Sequence, residues 1–281
     1  GALTLRPAIE LGSAKGSQKL TLDVEVTDID GQVIAGQGTV KLHAGDYYIG
    51  LRPDGYVSEV GKTQQVDLIT LTPQDEALAS QTVEAAIYQH EWFSVREQGS
   101  DGRLYWTSRY TDTLVETRSV TTDAQGRASL EFTPQAGGAY RIRATGKDRG
   151  GRSISSSAFT WVYGDDVFWG VNATNRIDLI ADQTSYQPGE TASILVPAPY
   201  AGMTALLTIE RGTVLEHRVL TLAGTTELIE VPITVDHAPN IYVSLVLIKP
   251  AGDDLPVPDM RVGLINLAVS TEQQELTVTI P

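Results

Sequence analysis

The sequence predicts an all-β protein, a tandem series of antiparallel β-sandwich domains. Three observations predict it: short runs of strict apolar/polar alternation, Gly- and Asp-rich turns between them, and a repeat at the length of one such domain. The clearest run is Lys19 to Thr27, where Leu20, Leu22, Val24 and Val26 interleave with Lys, Thr, Asp and Glu. A period of two buries one face of a strand and wets the other, the habit of antiparallel sheets. The same period recurs at Ala128, Leu130 and Phe132, at Tyr140, Ile142 and Ala144, at Ile229, Val231, Ile233 and Val235, and at Leu276, Val278 and Ile280. Asp28-Ile29-Asp30-Gly31 and Asp123-Ala124-Gln125-Gly126 supply the positive φ that tight connections demand. Many short strands so separated describe a sandwich. Gln74 to Gln89 is the best helical candidate, although its β-branched neighbours suit a strand as well.

A chain of 281 residues is too long for one ordinary sandwich, and units of about 100 residues can each bury a core. The passage TDIDGQVIAGQGTVKLHAGDYYIGL from Thr27 resembles TGKDRGGRSISSSAFTWVYGDDVFWGV from Thr145, and their closing glycines, Gly50 and Gly170, stand 120 positions apart. Three units are therefore expected: 1–50, 51–163 and 164–281. The first offers about three strands and leaves a sheet face uncovered, so it is expected to be the C-terminal part of a truncated domain. Long Gly/Ser or Pro tracts are missing between the units, so they are expected to touch and form a semi-rigid array.

The net charge of −14 opposes nucleic-acid binding, which relies on clustered Lys and Arg. With no cysteine there is no disulfide framework, thiolate metal site or cysteine nucleophile. No apolar run reaches the ~18 residues of a membrane span. His43, His90, His217 and His237 lack the spacing that sets two metal ligands on one helical face, and are read as solvated or strand-end residues. Asp28 to Gly31 lacks the later ligands of a calcium loop and reads as a turn; Asp165-Asp166 and Asp253-Asp254 read as loop charges. Nucleophile-elbow, Ser-x-x-Lys and phosphate-loop motifs do not occur. No catalytic residue, cofactor site or metal site is expected.

Two aromatic groups stand out. Trp92, Phe93, Tyr105 and Trp106 lie on an expected long hairpin around Gly99 to Gly102, where they pack on their own sandwich or face a partner. Trp161, Phe168 and Trp169 fall at the join of the second and third units, where they are expected to fix an interdomain angle.

Asp182-Gln183-Thr184-Ser185-Tyr186-Gln187-Pro188-Gly189-Glu190-Thr191-Ala192 resembles the D-x-x-x-Y-x-P-G-E-x-A opening of macroglobulin-like domains. Ala205 to Gly212 and Ala238 to Ser244 resemble two later segments of the same domain, in the same order. Glu91 to Glu97, Thr121 to Gly126 and Gly138-Ala139-Tyr140 resemble the domain that precedes it in bacterial α2-macroglobulins. The resemblance implies macroglobulin-like, immunoglobulin- or fibronectin-III-like sandwiches from a broad-spectrum protease trap of the periplasm or cell exterior, anchored as a lipoprotein through a segment outside this chain. It also implies that this chain is non-catalytic scaffold, with neighbouring domains and target proteases as partners and no direct membrane contact. The Cys-Gln thioester used by many members cannot form here, because the nearest text, Thr271-Glu272-Gln273-Gln274, has no cysteine. An adhesin of immunoglobulin-like repeats is the alternative from another class, and a carbohydrate-binding accessory domain the third.

Overall fold

The computed structural model describes residues 4, 6, 16–98, 101–164, 167, 169, 175–252 and 257–274, without the side chains of residues 93, 94, 96, 106 and 108. The run Leu276, Val278, Ile280 lies outside the described residues. The regular structure is strand throughout, apart from two single-turn 3-10 helices.

The first alternating run forms β1 (Gln18–Thr27), paired antiparallel with β2 (Val33–Leu42) in a two-stranded sheet. The register sets Leu20 opposite Val40 and Val26 opposite Ile34, so the apolar residues share one face, as the alternation requires. That face is exposed, with Val26 at 62% and Ile34 at 75%.

A three-stranded sheet of β3 (Tyr48–Pro53), β5 (Gln64–Leu71) and β8 (Arg127–Phe132) packs on a five-stranded sheet. The larger sheet runs β4-β10-β9-β6-β7, with β4 Val57–Glu59, β6 Thr82–Gln98, β7 Leu104–Thr121, β9 Gly138–Lys147 and β10 Ser153–Tyr163. Val66, Leu130 and Phe132 from one sheet meet Ala85, Ile87, Tyr140, Ile142 and Val162 from the other. Each fully buried large aliphatic contributes about 1.5–3 kcal/mol.

β3 pairs with β5, and Tyr47 and Ile49 are buried in the core of this sandwich. One expectation changes here. The helical candidate Gln74 to Gln89 is a turn-rich connection leading into β6; Asp75 and Ser80 take positive φ. From Thr82 the period of two prevails, since Val83, Ala85 and Ile87 fill the core.

The second sandwich sets β11 (Ile180–Ala181), β13 (Thr191–Pro197) and β16 (Thr226–Pro232) against a five-stranded sheet ordered β12-β18-β17-β14-β15. These strands are β12 Ser185–Tyr186, β14 Thr204–Glu210, β15 Val214–Thr221, β17 Asn240–Lys249 and β18 Asp259–Val269. Ala192, Ile194, Val196, Ile229 and Val231 close over Leu207, Ile209, Val243, Leu245 and Leu247 in one core.

Three connections turn through the same Asp-x-x-Gly geometry, two of them in the β1–β2 and β9–β10 hairpins and one between β7 and β8 of opposite sheets. Gly31, Gly126 and Gly151 donate to the carbonyls of Asp28, Asp123 and Asp148 at 2.9, 3.0 and 2.9 Å, with φ of 79°, 70° and 78°. Glycine holds such angles without the steric cost that a Cβ adds. Asp148 also accepts the backbone N–H and Nε of Arg152 at 2.8 and 2.7 Å, and Arg152 reaches Asp46 at 2.8 Å, which ties the β2–β3 connection to this turn. Burial on its own would push the Asp148 carboxyl up; the two Arg152 donors offset it and hold the group below the usual carboxylate range.

The Asp182 to Ala192 motif is a structural lock. Asp182 Oδ1 accepts Tyr186 Oη at 2.7 Å and Ser193 N at 2.9 Å, stapling the chain before β12 to β13. Burial, with Asp182 as acceptor, keeps the phenol of Tyr186 protonated far above its ordinary range. Glu190 Oε2 accepts Gln187 N at 2.8 Å across the Pro188-Gly189 turn, and Gly189 at φ 100° donates to Ile233 O at 2.8 Å. We expect Asp182→Ala to lower the unfolding free energy of this sandwich by about 1–3 kcal/mol and Tyr186→Phe by about 1 kcal/mol in urea denaturation. Equal stability of Asp182→Ala and wild type would show that the motif does not lock the sandwich.

Candidate functional site

The outward face of the larger sheet in the first sandwich carries an aromatic shelf over a buried histidine. Cross-strand register sets Trp161, Ala139, His90 and Asp112 in one row, Phe159, Arg141, Tyr88 and Leu114 in the next, and Trp92 opposite Tyr110 beyond them. A β-bulge between Ile87 and Tyr88 creates this arrangement. On the Thr121 side of it, Glu116, Arg118 and Val120 oppose Ile87, Ala85 and Val83, whose side chains face the core. An unbroken alternation would send Leu114 and Asp112 the same way; the extra residue, Val115, turns Leu114, Asp112 and Tyr110 to the outward face.

His90 is 5% exposed and packs edge-on to Trp92 at 4.3 Å between ring centroids, with Tyr110 at 5.0 Å and Phe159 at 5.3 Å. Trp92 and Phe159 lie 6.3 Å apart with planes 24° from parallel, and Phe159 and Trp161 are 6.4 Å apart at 32°. Ala139 is the small residue of the row and leaves room for the larger rings beside it. The polar half of the site is a chain of contacts through one carboxylate: His90 Nδ1 meets Asp112 Oδ1, and Arg141 Nη1 donates to Asp112 Oδ2 at 2.8 Å. The carboxylate therefore orients the imidazole, as in the base pair of a nucleophilic triad. Among the described residues no serine or threonine hydroxyl hydrogen-bonds to His90, whose ring is held by Asp112 among its aromatic neighbours.

The other sequence-selected residues are placed elsewhere. Tyr105 is exposed near the hairpin tip, its hydroxyl on Asp101 Oδ2 at 2.5 Å. The side chains of Phe93 and Trp106 lie outside the described residues, as does Phe168. Trp161 joins the shelf, whereas Trp169 Nε1 donates to Thr226 Oγ1 at 2.9 Å and Thr225 Oγ1 donates to Val167 O at 2.9 Å. Asp112, Arg141 and Phe159 were missed, since no local spacing signals a row that spans four strands. His43 contacts Tyr48 Oη, and His237 accepts from Thr234 N at 3.2 Å with burial lowering its pKa. Among the described residues no three His, Cys, Asp or Glu side chains gather to hold a metal. Asp165, Asp166, Asp253 and Asp254 lie outside them.

A family model for bacterial macroglobulin domain 6 matches residues 50–163, and one for the α2-macroglobulin bait region domain matches residues 177–281. The chain belongs to the bacterial α2-macroglobulin family. An α2-macroglobulin homolog of Nostoc sp. is 23% identical over 246 residues, covering 87% of this chain and 13% of that protein. A homolog from Yersinia pestis is 20% identical over 253 residues, covering 89% of this chain and 12% of its own length. The cryo-EM structure of native Escherichia coli α2-macroglobulin aligns over 91% of this chain and 17% of that one, at 17% identity and a TM-score of 0.39. The chain thus spans about one-eighth of the length of these curated α2-macroglobulin relatives. Within the family, the shelf belongs to the part matched as domain 6, and the Asp182 lock to the part matched as the bait region domain.

We expect His90→Ala to cost the first sandwich about 1–3 kcal/mol, because it removes the ring beneath Trp92 and Phe159 and leaves Asp112 half-paired. Tyr105→Ala at the tip should change stability by less than about 0.5 kcal/mol. Urea unfolding followed by tryptophan emission tests both, and equal losses would contradict a centre on His90.

Proposed function

We propose that this chain is a non-catalytic scaffold segment of a bacterial α2-macroglobulin-like protease trap, broad in the proteases it takes. The observation that carries this is the ordered pair of family matches, domain 6 followed by the bait region domain, on two successive sandwiches. Such a segment works mechanically. Each sandwich stays folded on its own core while the contacts between units rearrange, which is the requirement for a trap that closes when its bait is cut. The three-unit division, with the first boundary between Leu42 and Tyr48, is part of the same proposal.

Neighbouring units of the longer protein and the captured protease are the partners of this reading. In it the shelf around Trp92, Tyr110 and Phe159 is a docking surface, with Phe93, Tyr105 and Trp106 on the same hairpin, and Trp161, Phe168 and Trp169 help set the angle between the two sandwiches. The setting is periplasmic or extracellular, with a lipoprotein anchor elsewhere in the longer protein. Among the described residues no helix is long and apolar enough to cross a membrane.

A protease-protection assay tests the proposal. After incubation with the longer polypeptide, trypsin should lose most of its activity on a large protein substrate and keep most of its activity on a small chromogenic peptide, because a trap excludes by size. Undiminished cleavage of the large substrate would contradict it.

A further inference from the structure

The outward face of β15-β14-β17-β18 in the second sandwich differs from the charged outward face of β3-β5-β8 in the first. Register places Val219, Leu206, Val246 and Val262 in one row across four strands. Ile248 and Met260 flank the row on one side, and Leu264 and Tyr242 on the other. Val219 is 70% exposed, Leu264 61%, Ile248 and Met260 47% each, and Leu206 40%. The remaining outward positions are Thr204, Thr208, His217, Thr221, Ser244 and Asn266. Glu216, Arg218 and Arg261 alternate to the opposite face, while Glu210 and Arg176 stand at the margins. The interior of the patch therefore has no permanent charge, in a chain whose net charge is −14.

The contrast with the first sandwich is direct. The outward face of β3-β5-β8 carries Arg52, Asp67, Arg127 and Glu131, with Arg52 and Asp67 paired at 2.9 Å. That is how a solvated sheet face is normally dressed. An uncharged apolar face of several hundred Å² is the size of the largest apolar patch on a typical monomer, and such patches are often functional.

Area decides between occupants. Four strands spaced about 4.8 Å apart and seven residues rising about 3.3 Å each give a face on the order of 450 Å². A stable complex between separate molecules buries about 800 Å² on each partner, so a second copy of the chain would be held only weakly. Units tethered in one polypeptide need less, since their interfaces total about 600–1,500 Å² and the tether supplies a high effective concentration. We infer that this face is the seat of another folded unit of the same polypeptide, one that presents an equally uncharged apolar surface. The inference rests on reading the chain as a segment of a larger protein, and it goes beyond that reading by naming the surface.

The absence of cysteine makes the test clean. Leu264→Cys and Val219→Cys place a thiol on the exposed patch, and Ser129→Cys places one on the charged face of the first sandwich. Each is alkylated with N-ethylmaleimide in the 281-residue chain and in the longer polypeptide, and the site is read by peptide mass spectrometry. In the longer polypeptide the two patch thiols should react about tenfold more slowly than in the short chain, while Ser129→Cys keeps its rate. Unchanged patch rates would overturn the inference. So would slowing in the short chain alone as its concentration rises, which would assign the face to a second copy. Failure of the protease-trap reading would appear in the protection assay and leave these rates unaffected.

Discussion

The phase of the two-residue alternation governs this molecule. Each sandwich exists because one parity of residues on every strand faces the opposing sheet, and a slip of one residue would send that whole set to solvent. The two cores show how strictly the rule holds: Ala205, Leu207 and Ile209 on β14 are buried beside Val243, Leu245 and Leu247 on β17, with every intervening residue turned outward. With the inner parity committed to packing, chemical variety is confined to the outer parity. Both candidate interaction surfaces are written there.

The outer parity is used in two ways. In the first sandwich a single bulge near Val115 changes the phase of β7, bringing Asp112 and Tyr110 to the side of His90 and Trp92. The result is a shelf of rings whose polar partners, Asp112 and Arg141, compensate each other's charge. In the second sandwich the register shift in the β14–β15 pair comes only at its end, between Ile209 and Glu210, and over the rows before it the outer parity is stripped of charge across four strands. An acidic chain keeps apart from other acidic surfaces by repulsion, so neutral patches are where close contact costs least. That distribution suits a scaffold whose units work through the way they meet.

Much of this was legible in the sequence because alternation is local. The runs at Leu20 to Val26, Ala128 to Phe132 and Tyr140 to Ala144 became strands, the run from Ile229 did so only as far as Pro232, with Val235 in a 3-10 turn, and the Asp28 and Asp123 signals became turns of one kind. The Asp182 to Ala192 motif also carried the family, and the structure gives its physical content: a carboxylate shared by a buried phenol and a strand N–H. What stayed hidden depended on long-range pairing. The connection before β6 looked helical because its composition suits either period, and only packing of Val83, Ala85 and Ile87 decides it. Tyr47 and Ile49 pack with Leu68, Val83, Ala144 and Ile154, a set of partners that their place just after β2 does not announce. Asp112, Arg141 and Phe159 come together only through the register of four strands and one bulge.

Native-state hydrogen exchange tests this account most directly, because it reads each strand's stability separately. The amides of the central strands β6 and β9 should exchange slowly and together, as should those of β14 and β17. Those of the β1–β2 hairpin, whose apolar face has no opposing sheet among the described residues, should exchange much faster. A hairpin as strongly protected as the central strands would contradict the claim that stability here comes from closing one sheet face against another.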